Sequence, residues 1–135
     1  MAARIEPYAA EHLDGVLALF AAERWLTLIE DRARTGRALV APGCTTLVAV
    51  DGPDDDVVGV IWMQSDGEIQ AHVSAITVGA SHRGQGLGRQ LITAALDRTG
   101  VTRVDLISVA DEFYGKMTER RFQGFRITRG DVGLR

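Results

Sequence analysis

Ile76-Thr77-Val78, followed after four residues by Arg83-Gly84-Gln85-Gly86-Leu87-Gly88-Arg89, is the stretch on which the fold turns. The first three residues end a run of β-prone side chains over 68–78. The glycines then lead into Leu87, Leu91, Ala94 and Ala95, which form one apolar stripe of a helix ending about Gly100. The chain thus passes from strand to glycine loop to helix. Such a helix N-terminus offers free N–H groups and the positive end of the helix dipole, and glycines admit an anion close to the backbone. Gly84-Gln85-Gly86-Leu87-Gly88-Arg89 fails the dinucleotide pattern, because Arg89 stands where a third glycine would allow close helix packing. It fails the P-loop pattern as well, since no Lys-Ser/Thr pair follows the last glycine. The expected ligand is a phosphate or pyrophosphate outside those two classes. A ligand-free left-handed turn is the plainer alternative for glycines alone.

Upstream of the loop, Ile69, Ala71, Val73 and Ala75 share one parity, whereas Ile76 and Val78 take the other. Either the strand is buried on both sides or an extra residue makes a bulge near Ala75-Ile76, leaving backbone groups unpaired. Two β-branched runs precede it, Thr45 to Val50 and Val57 to Met63, and Asp66-Gly67 predicts a tight type I′ hairpin. Earlier still, a short strand near Arg4-Ile5 leads to an amphipathic helix marked by Leu13, Val16, Leu17 and Phe20. Thr27-Leu28-Ile29-Glu30 has capping-box spacing and predicts the start of a second helix that stops before Pro42-Gly43. Downstream, a strand over 104–109 completes a right-handed β-α-β unit. A short helix over 111–119 and a last strand over 122–128 close an α+β domain. No repeat or long linker interrupts it, so residues 1–135 form one domain.

At 135 residues and 46% hydrophobic content the chain can bury a core without staples. Fifteen Lys+Arg against eighteen Asp+Glu give a formal charge of -3, so general attraction to nucleic acid or anionic lipid is not expected. A local exception is the arginine cluster Arg120, Arg121, Arg126, Arg129 and Arg135, either a solvated face or a contact with an anionic ligand. No apolar run reaches membrane-spanning length, no signal-peptide pattern opens the chain, and the single Cys44 has no internal partner. A cytoplasmic protein is expected. His12, His72 and His82 lack ligand spacing, so no metal is expected. His82 adjoins the anion loop, where it either touches a phosphate or faces solvent. Cys44 sits in a Pro-Gly turn and reads as small-residue filler.

With Ile76-Thr77-Val78, the Arg83 to Arg89 loop and Phe113-Tyr114 on a later helix, the chain resembles the GNAT family of N-acetyltransferases, whose acetyl-CoA signature is R/Q-x-x-G-x-G/A. The order of elements resembles the family over nearly the whole length. The resemblance implies a mixed, mostly antiparallel sheet of six to seven strands flanked by about four helices, with a bulged strand before the glycine loop. It implies acetyl-CoA as co-substrate, with Ile76, Thr77 and Val78 along the pantetheine arm and Gly84, Gln85, Gly86, Leu87, Gly88 and Arg89 around the pyrophosphate. Arg83 and Arg89 would neutralise charge there. Tyr114 resembles the tyrosine that protonates the departing thiolate in many members. Gln70 stands where some relatives carry a glutamate base, which leaves Glu68 and His72 on the same strand as candidates, or a water chain. The chain departs from the family at Ala110-Asp111, where an asparagine is common, and in its late Gly124-Phe125.

The implied acceptor groove involves Trp25, Glu30, Asp31, Trp62 and Gln64. Its substrate is expected to be a small-molecule or peptide amine. The sheet edges make a homodimer a reasonable expectation. Two rival readings are a non-catalytic acyl-CoA-binding or partner-binding module and a nucleotide-binding regulator.

Overall fold

The computed structural model describes residues 3–108 and 111–135. Strands β1 (Arg4–Pro7), β2 (Cys44–Asp51), β3 (Asp56–Ser65) and β4 (Gln70–Val78) pair antiparallel in sequence order, and β5 (Arg103–Asp105) joins β4 in parallel. Helices α1 (Leu13–Ala22) and α2 (Arg32–Leu39) connect β1 to β2, α3 (Leu87–Thr99) crosses from β4 to β5, and α4 (Asp111–Gly115) follows.

Apolar runs in β2 and β3 reflect a sheet covered on both faces. Leu47, Ala49, Ile61, Met63, Ala71 and Val73 pack against Leu87, Leu91, Ile92 and Ala95 of α3. Val48, Val50, Val60 and Ala75 pack on the other side against Val16 and Phe20 of α1 and Leu39 of α2. In α3 it is Ile92 that is buried beside Leu91, while Ala94 is half-buried. Gly15 lets α1 approach closely, because a Cβ there would lie 2.7 Å from Val57 Cβ.

The parity break in β4 has a direct cause. Trp62 opposes Ala75 and Met63 opposes Val73, so Ser74 is the extra, unpaired residue. Before it Ala71 and Val73 face α3; after it Ile76 and Val78 take over that face and Ala75 turns to α1. Both readings of the parity hold: the strand is buried on both sides and it is bulged, just upstream of Ala75-Ile76.

Several local expectations are corrected. The second helix begins at Arg32, capped by Asp31, whose carboxylate accepts the Arg34 N–H at 3.1 Å. Thr27 and its neighbours instead form a single 3-10 turn, and the Glu30 N–H is taken by the Leu26 carbonyl. Asp31 wins because its extended backbone aims the carboxylate at the free donor three residues on. Asp66-Gly67 lies in a four-residue connection in which only Gly67 has positive φ. The Asp66 carboxylate accepts N–H groups from Glu68, Ile69 and Gln70 and so replaces a type I′ turn.

Among the described residues the sheet has five strands, not six or seven. The strand expected over 104–109 is paired only at Arg103–Asp105. Its partner bends away at the Ser74 bulge, leaving the following backbone nothing to pair with. Residues 122–128 form no strand, since a three-residue β5 offers too short an edge. The helix expected over 111–119 stops at Gly115.

Candidate active site

Parallel pairing of β4 with β5 stops at His72 and Asp105, two residues before the bulge. From there the strands diverge, and the β5-facing backbone edge of β4 has no strand partner among the described residues. The resulting cleft is lined by Trp25, Val73, Ser74, Ala75, Ile76, Leu106, Ile107, Ser108 and Tyr114. A shallower groove lined by Tyr8, Leu13, Gly36 and Val40 shares no residue with it. Tyr114 lines the first cleft and not that groove.

Tyr114 comes to the cleft from α4, with the Phe113 ring edge-on to its own at a centroid distance of 4.8 Å. Burial pushes its phenol above the ordinary value near 10, and a hydrogen bond with the Ser108 side chain opposes this. The hydroxyl therefore keeps its proton throughout the neutral range. On the opposite wall, Ser74 Oγ donates to Gln64 Oε1, fixing the bulged residue to β3.

Trp25 reaches the cleft through the end of α1. The Trp25 N–H donates to the Phe20 carbonyl at 3.1 Å and the Arg24 N–H to the Ala21 carbonyl at 3.0 Å, as in a Schellman turn. The left-handed position is Arg24, φ 60, where glycine is usual. The ring of Trp25 then packs on Phe20 at 5.7 Å between centroids. Glu23, at the same helix end, accepts from Thr77 Oγ1 at 2.9 Å and from the Arg83 guanidinium at 2.8 Å. Arg83 Nε also donates to the Val78 carbonyl at 2.9 Å, so one guanidinium ties the glycine loop to β4 and α1.

The loop fits an anion. Gly84 and Gly86 have φ of 78 and 80, and a Cβ on either would meet no atom within 4 Å, leaving open space before the backbone. Gly86 supplies no side-chain cap to α3, so the first helical N–H groups keep their donor capacity. Gly88 has a different role: a Cβ there would stand 3.0 Å from the Phe113 ring, so its bareness admits α4. His82 is partly buried and held by two neighbours: Nε2 pairs with Asp51 Oδ2 at 2.7 Å and Nδ1 with Ser81 Oγ at 2.8 Å. That contact holds the Asp51 carboxyl below the ordinary carboxylate range.

Of the residues singled out from sequence, Trp25, Ile76 and Tyr114 are brought to one cleft. Thr77 is buried on the α1 side with its hydroxyl on Glu23, Leu87 is in the core, and Gln85 and Arg89 are exposed. Glu68 lies exposed in the β3–β4 connection. His72 lies exposed on β4 before the bulge, opposite Gln64 and Asp105, and neither it nor Glu68 lines the cleft. Glu30 is exposed, Asp31 caps α2, and the Trp62 indole N–H meets Cys44 Sγ at 3.4 Å. Sequence reasoning missed Glu23, Ser74 and Ser108. Only Ser74 had a signal, as the residue just before the parity change. Among the described residues no group of three or more His, Cys, Asp or Glu is placed to hold a metal ion, and no helix is long and apolar enough to cross a membrane.

A bulged strand parting from its parallel neighbour, with a glycine loop and helix at its end, defines an acyltransferase architecture. The acetyltransferase (GNAT) domain profile matches residues 42–117, and the chain belongs to that family of N-acetyltransferases. No curated protein matches it. Among solved structures, a ribosomal-protein-alanine N-acetyltransferase from Brucella melitensis biovar Abortus 2308 aligns with TM-score 0.72 at 18% identity, covering 95% of this chain and 99% of that one. A Trypanosoma brucei acetyltransferase aligns at 0.68 and 23% identity over 93% and 99% of the chains. An aminoglycoside acetyltransferase from an uncultured soil metagenomic sample aligns at 0.72 and 22% over 93% and 95%. These likenesses show the fold.

Proposed function

We propose that the protein moves an acetyl group from acetyl-CoA to a primary amine by direct attack within a ternary complex. One observation carries this reading: the cleft opened by the Ser74 bulge is faced by a protonated Tyr114 and continues along an unpaired strand edge towards the glycine loop. The edge of β4 along Ile76, Thr77 and Val78, which lacks a strand partner on its β5 side among the described residues and where the Val78 carbonyl accepts from Arg83 Nε, suits an extended pantetheine arm. The amides of Gly84 to Arg89 suit its pyrophosphate. Acetyl-CoA supplies an activated acyl group on a leaving thiolate.

The protein's part is then threefold. A backbone N–H of β4 beyond the bulge stabilises charge on the carbonyl oxygen. Tyr114 donates its hydroxyl proton to the thiolate and is reprotonated from solvent. The acceptor must arrive neutral, although an amine of pKa about 10.4 is mostly charged at pH 7, a deficit of roughly 4–5 kcal/mol. With Glu68 and His72 outside the lining, a base acting from the cleft would work through water held by Ser74 and Gln64. Glu68 and His72 remain candidates at the outer end of such a chain.

The test is acetyl-CoA-dependent thiol release across small amines, polyamines, amino sugars and short peptides. Release above the amine-free control is expected with one class, and Tyr114→Phe is expected to suppress it. A cradle without chemistry is the second reading, favoured by the lack, among the described lining residues, of a carboxylate or imidazole base. Acetyl-CoA binding with no release from any acceptor would select it. The organism's cytoplasm is the compartment in which this co-substrate would be met.

A further inference from the structure

Outside the cleft, the turn that follows β4 assembles a second set of interacting side chains. Ser81 Oγ stands 2.8 Å from His82 Nδ1, and His82 Nε2 stands 2.7 Å from Asp51 Oδ2. Asp51 ends β2 and lies 31 residues before the histidine, so the fold and not the local sequence completes the set. None of the three lines the cleft. A serine beside a histidine in a turn is an ordinary neighbour contact. The carboxylate on the far ring nitrogen is what makes it a relay.

The protons in this relay can be placed. Asp51 is held ionised, its carboxyl lying below the ordinary carboxylate range because His82 and the Gly52 N–H, the latter 2.8 Å from Oδ1, both donate to it. A carboxylate only accepts, so Nε2 carries the ring proton towards Asp51, and in the neutral imidazole Nδ1 is left bare to accept the Ser81 O–H. The ring is fixed as well. The His82 N–H donates to the Gly79 carbonyl at 2.9 Å, and the side chains of His82 and Asp51 are only 20% and 22% exposed. Ser81, at the outer end, is exposed, so a small substrate can reach its oxygen. Relative to the serine-protease triad the two ring nitrogens exchange places, which leaves base and orienting carboxylate in the same roles.

We propose that Ser81 is a nucleophile served by His82 and Asp51, and that the protein hydrolyses small activated acyl esters at this turn. In the first step Ser81 Oγ bonds to the ester carbonyl carbon while its proton passes to His82 Nδ1; the bond to the alcohol oxygen then breaks and that proton leaves with the alcohol. In the second step water gives its proton to Nδ1 and its oxygen to the acyl carbon, the acid departs, and Ser81 regains its proton. Asp51 remains an acceptor throughout and steadies the imidazolium. Ser81 lines neither groove described above, so the reactivity of the leaving group and not the shape of a pocket sets the substrate class. Gly84, two residues past the histidine, fronts open space and leaves that side of the turn uncrowded.

The test incubates the full chain with p-nitrophenyl acetate and neither acetyl-CoA nor an amine, so its outcome does not depend on whether the cleft transfers an acyl group. Release of p-nitrophenolate should exceed that from free imidazole at the same concentration by about tenfold or more. Peptide mapping of the acid-quenched protein should place an acetyl group on Ser81. Ser81→Ala should lower release by about tenfold or more and Asp51→Asn by about as much, while the double variant should be no slower than the slower single one, since members of one relay fail together. Thermal melts check that each variant folds; if Asp51→Asn does not, the mapping on the wild-type chain still decides. An acetyl group found instead on His82, Cys44 or Lys116 would overturn the proposal. Release no faster than imidazole would do the same, as would losses that simply multiply in the double variant.

Discussion

Arg24 adopts a backbone conformation that costs an L-residue roughly 1–2 kcal/mol, yet the turn it makes is what swings Trp25 into the cleft. Arg24→Gly removes that penalty and gives back about 0.5–1 kcal/mol in unfolded-chain entropy, so a net gain of about 0.5–1 kcal/mol is expected. Chemical denaturation measures it, with Trp25 fluorescence unchanged in the native state. At Tyr114, removal of the hydroxyl should lower kcat by about a hundredfold or more while KM for acetyl-CoA moves little. The same residue makes a pH prediction. Its folded pKa is raised, so its contribution to stability is complete below the unfolded value near 10 and declines as pH rises through the folded one. Wild type should therefore lose stability above pH 10 faster than Tyr114→Phe, as thermal melts across that window would show.

Between elements, closeness matters more than propensity. Alanine in place of Gly15 would favour helix α1 by about 0.5–1 kcal/mol, but its methyl would overlap Val57, a branched side chain that cannot swing aside. A net loss of about 1–2 kcal/mol is expected, against the propensity trend. Arg83 works between elements too. Arg83→Ala frees the glycine loop from Val78 and Glu23, and the expected result is a several-fold rise in the acetyl-CoA dissociation constant with the melting temperature nearly unchanged. Isothermal calorimetry would separate this clamp from direct charge neutralisation, because Glu23→Gln should weaken binding only if the clamp matters.

At this scale the sequence was informative wherever one strong local rule operated. The β4 parity break located a bulge to within a residue or two, and Gly86 and Gly100 marked the two ends of α3. It was less informative where two local rules competed, as when Asp31 outbid the Thr27 capping box, or when the Asp66 carboxylate tied a connection where Asp66-Gly67 was expected to make a type I′ turn. Glu23 could not be read at all. Its partners are 54 and 60 residues away, and no periodicity records contacts of that kind.

For the whole molecule, the shortfall in strands was beyond local reading because pairing is a property of neighbours. Residues 122–128 have strand character, but whether they pair depends on how far β5 extends, and that depends on where β4 bends. The family match over residues 42–117 covers the glycine loop, the bulge and Tyr114, so the readable part of the site coincides with the shared part of the fold.

Phe113 rests on Gly88 while its neighbour Tyr114 faces the cleft, so the start of α3 and the candidate acid share one joint. An occupant that steadies the first turn of α3 also steadies the hydroxyl that must later deliver a proton. On the proposed reading, that joint predicts a sequence in time: coenzyme first, amine second. Steady-state kinetics should then show CoA competing with acetyl-CoA but not with the acceptor, and Gly88→Ala, by levering the ring away, should loosen that order as well as slow the turnover.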